Sequence, residues 1–106
     1  MSLRTDQLIQ FIKDDPDDPF NHYALALEYC KTNERQAVEI FEGLIKNHPQ
    51  YVPVYYQLAG LYARYGEMGK AIKTFGDGIE IARQQGDHKT VRELNSALKE
   101  LLDSED

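Results

Sequence analysis

The sequence predicts an all-α protein built from antiparallel helix-turn-helix repeats, with one additional helix at each end. Apolar residues recur at the helical spacing i, i+3, i+4, i+7 along most of the chain. Proline and glycine divide the chain into segments of helical length, and no segment of useful length alternates apolar and polar residues as a strand does. The 106 residues match the size of one ordinary domain, so a single domain over residues 1–106 is expected.

Composition and charge restrict the partners that the protein can bind. The 18 acidic residues exceed the 12 basic ones, and the formal net charge is −6. The basic residues are also dispersed, which disfavours nucleic acid and anionic membranes as partners. The single cysteine, Cys30, excludes an internal disulfide, and no apolar run approaches the roughly 18 residues of a membrane span. The beginning of the sequence lacks the apolar region of a secretory signal, so a cytoplasmic location is expected.

The first helix is predicted over residues 5–14, before an acidic turn with the sequence DDPDDP. Its apolar stripe consists of Leu8, Ile9, Phe11 and Ile12. Pro16 ends this helix, because the residue before a proline avoids helical dihedral angles. Asp18 is a favourable N-cap and Pro19 a favourable first residue, so the next helix should begin there.

Two helices are predicted in the segment 19–49. The first covers about residues 19–31, and its apolar face comprises His22, Leu25, Ala26 and Tyr29. The second covers about residues 34–47, with an inward face of Ala37, Val38, Phe41, Leu44 and Ile45. The dipeptide His48-Pro49 should end this second helix.

The same pattern returns in the segment 52–85, and a last helix follows over residues 87–103. The first face is repeated by Tyr55, Leu58, Ala59 and Tyr62, and the second by Ala71, Ile72, Phe75, Gly78 and Ile79. Gly66 should break the first helix of this segment, and Gly86 should end the second. Asp87 is a candidate N-cap of the last helix, whose apolar residues are Val91, Leu94, Ala97, Leu98, Leu101 and Leu102.

The two central segments are internal repeats of one another. Leu25 and Leu58 lie 33 residues apart, and Phe41 and Phe75 lie 34 residues apart. A two-helix unit of about 34 residues is the period of the tetratricopeptide repeat. Each segment also carries this family's signature of a large residue, Leu-Gly/Ala, Tyr, Ala and Phe, present as His22, Leu25-Ala26, Tyr29, Ala37 and Phe41, and as Tyr55, Leu58-Ala59, Tyr62, Ala71 and Phe75. The chain therefore resembles a small tetratricopeptide repeat protein with two repeats.

The resemblance implies a right-handed superhelix of antiparallel helix pairs, and two positions depart from the family pattern. Leu44 is large where the family prefers alanine, and Arg83 stands where a proline would close the second repeat. Small residues such as Ala59 and Ala71 would let paired helices approach closely, whereas a generic helical bundle has no reason to repeat small residues in register. Two repeats are fewer than a stable stack usually needs, so the flanking helices should cover the exposed faces.

No set of residues in the sequence suggests catalysis, a cofactor or a metal site. His22, His48 and His88 fall on different elements without metal-ligand spacing, and His22 is interpreted as a large core residue equivalent to Tyr55. Cys30 is interpreted as a small buried hydrophobic residue. The acidic run DDPDD lacks the glycine and distal glutamate of a calcium loop. A metal-dependent or other enzyme therefore remains only a remote alternative.

The resemblance implies a binding surface, because the first helix of each repeat lines the concave face in this family. The residues predicted to point outward there are Phe20, Tyr23, Leu27, Lys31, Tyr56, Gln57, Gly60 and Arg64. Aromatic side chains and an arginine beside small residues suit a peptide or a partner helix. A competing interpretation has Phe20 and Tyr23 packed against the N-terminal helix. The Lys and Asn that clamp a peptide carboxylate in some family members are replaced at the matching positions, which argues against that ligand.

The sequence therefore predicts a non-catalytic interaction module or adaptor that binds a peptide or protein segment of unknown identity. The alternative is a structural homo-oligomer, for example a homodimer, that uses the same surface and has no separate ligand. Neither interpretation involves nucleic acid or a membrane.

Overall fold

The computed structural model describes residues 2–104, and within this range the protein is entirely helical. Six helices occur in this part of the chain, and no strand does. They are α1 (Leu3–Asp14), α2 (Pro19–Tyr29), α3 (Glu34–Asn47), α4 (Pro53–Arg64), α5 (Met68–Gln84) and α6 (His88–Asp103). The predicted all-α fold class is confirmed.

The helices form two compact units that adjoin in sequence between Tyr51 and Val52. The first unit contains α1, α2 and α3, and the second contains α4, α5 and α6. Each unit therefore combines one helix-turn-helix repeat with one flanking helix, as the sequence pattern predicts.

In the first unit, the N-terminal helix packs against the first helix of the repeat. Leu8 of α1 is 1% exposed and packs with Ala24 and Leu25 of α2. Half-buried apolar side chains surround this cluster, namely Ile9, Ile12, Tyr29 and Ile40. Burial of these apolar side chains is the main source of stability available to a unit this small. The predicted cover of the first repeat by α1 is therefore present.

The helices of the first unit begin at polar side chains that satisfy free backbone N–H groups. The Ser2 hydroxyl accepts a hydrogen bond from the Thr5 amide at 3.0 Å, so α1 begins two residues earlier than the apolar stripe indicates. The Asp18 carboxylate accepts one from the Phe20 amide at 3.0 Å and Pro19 opens α2, as predicted. α2 ends at Tyr29, two residues earlier than predicted.

In the second unit, small residues lie where the helices approach most closely. Ala59 of α4 and Ala71 of α5 have no exposed surface. The last helix covers this repeat through Leu94, which packs with Ala59, Phe75 and Ile79. α5 is 17 residues long whereas α3 has 14, because Arg83 stands where a proline would have ended the helix. The predicted covering role of the last helix is also present.

The turns of the second unit use two glycines with left-handed backbone angles. Gly66 has a φ of 77° between α4 and α5, and Gly86 has a φ of 72° between α5 and α6. Residues with a β-carbon rarely adopt these angles, so glycine ends both helices as predicted. Asp87 then caps α6, because its carboxylate accepts a hydrogen bond from the Thr90 amide at 3.1 Å.

Candidate functional site

The four predicted binding residues of the first unit lie on or just after α2 and differ in exposure. Phe20 is 55% exposed, and Lys31 is exposed and forms a 3.1 Å ion pair with Glu28. Tyr23 and Leu27 are half-buried. Only Phe20 therefore presents a large apolar surface to solvent in this set.

Tyr23 belongs to an aromatic cluster within the first unit. Its ring lies 5.9 Å from that of Phe41 in α3 and 5.7 Å from that of Tyr51, which follows α3. Burial raises the pKa of the Tyr51 phenol, and the neighbouring Tyr23 and the Asp18 carboxylate raise it further. Sequence reasoning missed Tyr51, whose only signal is a large aromatic residue just beyond the helix-ending Pro49. Phe20 remains exposed, so α1 does not cover it.

In the second unit, the predicted binding residues lie along α4. Tyr56 is 49% exposed, and its ring meets that of Phe75 edge-on with centroids 6.3 Å apart. Gln57 and Gly60 are half-buried, and Arg64 is the exposed last residue of the helix. The contact with Phe75 fixes the Tyr56 ring against the repeat while leaving half of its surface accessible.

Gly60 leaves an open space on the surface of α4. A β-carbon at Gly60 would meet no other atom within 4 Å. Tyr56, Gly60 and Arg64 are spaced i, i+4, i+8, so they follow one ridge of the helix. The ridge presents an aromatic ring, a gap and a guanidinium group over about 12 Å. This set of three residues is called the α4 ridge below.

The α4 ridge lies in the longest part of the chain without acidic residues. Neither aspartate nor glutamate occurs between Asp18–Glu42 or their neighbours and Glu67 once Glu42 has passed, so residues 43–66 carry only Lys46 and Arg64 as formal charges. Beyond α4, the Lys70 ammonium lies 5.6 Å from the centroid of the Tyr62 ring. The local charge of α4 is therefore positive although the whole chain has a net charge of −6.

The interpretation of His22 as a buried core residue is wrong. His22 is half-buried, and its Nε2 atom lies 2.7 Å from the carbonyl oxygen of Pro16. Tyr55, at the equivalent position of the second repeat, is 3% exposed, and burial raises the pKa of its phenol, with a smaller contribution from Asp77. The imidazole instead links α2 to the turn before it, and Leu44 fills the interior of the first repeat.

The remaining candidate polar groups do not converge on a site. Cys30 is half-buried at the end of α2 rather than fully buried as predicted. His48 lies at the end of α3 and His88 opens α6. Over residues 2–104, no group of three or more His, Cys, Asp and Glu side chains is arranged to hold a metal ion. Within the same described range, no helix combines the length and hydropathy that crossing a bilayer requires.

Comparison with solved structures identifies similar small helical proteins. The solution NMR structure of a tetratricopeptide repeat domain protein from Salinibacter ruber matches with 41% sequence identity and a TM-score of 0.81, over 86% of this chain and 93% of that one. A crystal structure of a tetratricopeptide repeat domain protein from the same organism matches with 42% identity and a TM-score of 0.76, over 79% and 96% of the two chains. The crystal structure of MamA shares the fold at 22% identity, with a TM-score of 0.64 over 93% of this chain and 65% of MamA.

Sequence comparison agrees with these structural matches. The family model described as anaphase-promoting complex subunit 5 matches residues 18–105. No curated protein sequence matches the chain significantly. The fold and these matches define a helical repeat of the protein-interaction class. The chain belongs to the tetratricopeptide repeat family.

Proposed function

We propose that the protein is a non-catalytic adaptor that binds a peptide or protein segment on the α4 ridge. The observation that carries this proposal is the open space at Gly60 between the half-exposed Tyr56 ring and the Arg64 guanidinium. Tyrosine and arginine are enriched among residues that dominate binding energy at protein interfaces. The missing side chain at Gly60 allows a partner to approach the helix backbone closely.

The α4 ridge is also partly organised before binding. The Phe75 ring supports one edge of Tyr56, so less side-chain entropy is lost when a partner contacts that ring. Gln57 lies beside the ridge and supplies an amide that can both donate and accept hydrogen bonds. These features favour a segment with at least one large apolar side chain and polar backbone groups.

A peptide-display selection with two matched glycine variants tests this function. A random peptide library is selected against the immobilised protein, and the enriched peptides are then measured against Gly60→Leu and Gly76→Leu. A β-carbon at either glycine would meet no atom within 4 Å, and both glycines are inside helices. Both variants should therefore fold at least as stably as the parent, because leucine favours helix more than glycine does.

Only Gly60→Leu should abolish peptide binding, because it fills the gap of the α4 ridge. Equal binding by both variants would show that the peptides bind elsewhere, and failure to enrich any peptide would argue against the proposed function. Circular dichroism of both variants serves as the folding control.

The residues on and just after α2 form a second proposed contact patch, on the first unit. Phe20 is the useful probe there, because it is 55% exposed and its truncation should not disturb the fold. Tyr23→Ala is less informative, since Tyr23 packs against Phe41 and Tyr51 and its removal would also destabilise the unit. Phe20→Ala should weaken peptides that need this patch while leaving the helical signal unchanged.

A further inference from the structure

We infer that the partner of the α4 ridge is an extended, acidic segment in which an acidic residue follows or precedes a large apolar residue by three or four positions. This inference rests on the proposed function and adds the chemistry of the partner to it. Three features of the second unit support it: the local charge, the spacing of the ridge, and the open space between its two ends.

The local charge of the ridge selects an acidic group. α4 contains no aspartate or glutamate, and Arg64 is its only formally charged residue. A carboxylate placed beside Arg64 can accept two hydrogen bonds from the planar guanidinium, which a neutral or basic group cannot do. A basic side chain at the same place would meet the Arg64 charge without a compensating acidic residue on α4.

The spacing of the ridge selects the arrangement of the two side chains. Tyr56 and Arg64 are eight residues apart on a helix, which corresponds to about 12 Å along its axis. An extended chain advances about 3.3 Å per residue, so three or four residues cover the same distance. A partner can therefore place its apolar side chain on Tyr56 and its carboxylate at Arg64 within one short extended segment.

The open space at Gly60 accommodates the residues between these two contacts. A β-carbon there would meet nothing within 4 Å, so the backbone of the partner can cross the ridge without displacing a side chain. The net charge of −6 repels an acidic segment at long range, and the attraction to Arg64 acts at short range. Added salt should consequently weaken binding less than it does for a partner steered by the charge of the whole protein.

The test repeats the peptide-display selection against the parent, Arg64→Glu and Arg83→Glu. Arg83 is a matched control, because it is an exposed arginine in the last turn of α5, as Arg64 is in the last turn of α4. Peptides enriched on the parent and on Arg83→Glu should share the acidic and apolar pair at the stated spacing. Arg64→Glu should lower the affinity for these peptides by about tenfold and should enrich peptides with lysine or arginine instead.

The outcomes separate this inference from the proposed function. Peptides that lose binding in Gly60→Leu but show no acidic preference, or that bind Arg64→Glu as well as the parent, would overturn the acidic partner and leave the binding site intact. Peptides that bind Gly60→Leu normally would overturn the site itself. An acidic preference that shifts in Arg64→Glu and stays in Arg83→Glu would support the inference.

Discussion

Gly78 of α5 lies directly against the side chain of Tyr55 in α4. A β-carbon on Gly78 would be 2.6 Å from the Tyr55 β-carbon and 3.2 Å from the Cδ1 atom of Leu94 in α6. The three helices of the second unit therefore meet at a position that only glycine can occupy without a shift of its neighbours. In the first repeat the equivalent pair is His22 and Leu44, so the bulk has moved from the first helix to the second.

Gly78→Ala should therefore be less favourable than the same change at Gly76. In the folded state an alanine at position 78 must displace Tyr55 or α5 itself, whereas one at position 76 meets no atom within 4 Å. Both changes gain the same helix propensity, about 1 kcal/mol, so the difference between the two variants isolates the overpacking cost. We expect that difference to be about 1–3 kcal/mol in the free energy of unfolding, measured by urea denaturation. Equal stabilities would show that the helices can separate freely at Gly78.

Leu94→Ala should destabilise the second unit far more than Leu102→Ala. Leu94 is 1% exposed and packs with Ala59, Phe75 and Ile79, whereas Leu102 on the same helix is 45% exposed. Truncating the buried leucine leaves a cavity, which costs about 2–5 kcal/mol. The exposed one should change stability by about 0.5 kcal/mol or less. Thermal unfolding of both variants measures the difference, and similar midpoints would contradict the covering role of α6.

The sequence predicts the helices well because their ends depend on local chemistry. Pro19 and Gly86 act through their own backbone angles, and Asp87 through an acceptor near the next free amide, so a short window of sequence reveals each of them. α3 is found at its predicted limits, residues 34–47. The start of α1 was missed because the cap at Ser2 lies outside the apolar stripe on which that prediction depended.

The positions of His22 and Tyr23 could not be predicted from the repeat pattern alone. Register with Tyr55 places His22 in the interior, but the imidazole can reach the Pro16 carbonyl in a turn that the second repeat does not share. Tyr23 is predicted to point outward, yet Phe41 and Tyr51 hold its ring, and Tyr51 lies 28 residues further along the chain. Contacts between such distant residues depend on packing that helical periodicity does not encode. Whether the eight predicted residues bind a partner stays a prediction.

The N-cap of α6 should make stability depend on acid pH through Asp87. Its pKa lies below the ordinary value of 3.8, chiefly because the Thr90 hydroxyl donates a 2.7 Å hydrogen bond to the carboxylate, and also because of the Thr90 amide. A lowered pKa in the folded state means that this contribution is complete above pH 3.8 and is lost as the pH falls through the lower folded value.

Thr90→Val tests this dependence because it removes the hydroxyl donor and keeps the backbone amide. The stability advantage of the parent over this variant should be largest above pH 3.8 and should shrink as the solution becomes more acidic. Thermal midpoints measured across acid pH give the comparison. A constant difference between the two proteins would show that the Asp87 carboxylate does not titrate in contact with Thr90.

The solution mass distinguishes a free α4 ridge from one used between copies of the chain. If the ridge binds a separate peptide, light scattering should give the mass of one chain at all accessible concentrations, for the parent and for Gly60→Leu alike. A dimer of the parent that Gly60→Leu converts to a monomer, while Gly76→Leu remains dimeric, would place the ridge inside a contact between copies. That outcome would favour the structural homo-oligomer over the adaptor, because the gap at Gly60 would already be filled by the second chain.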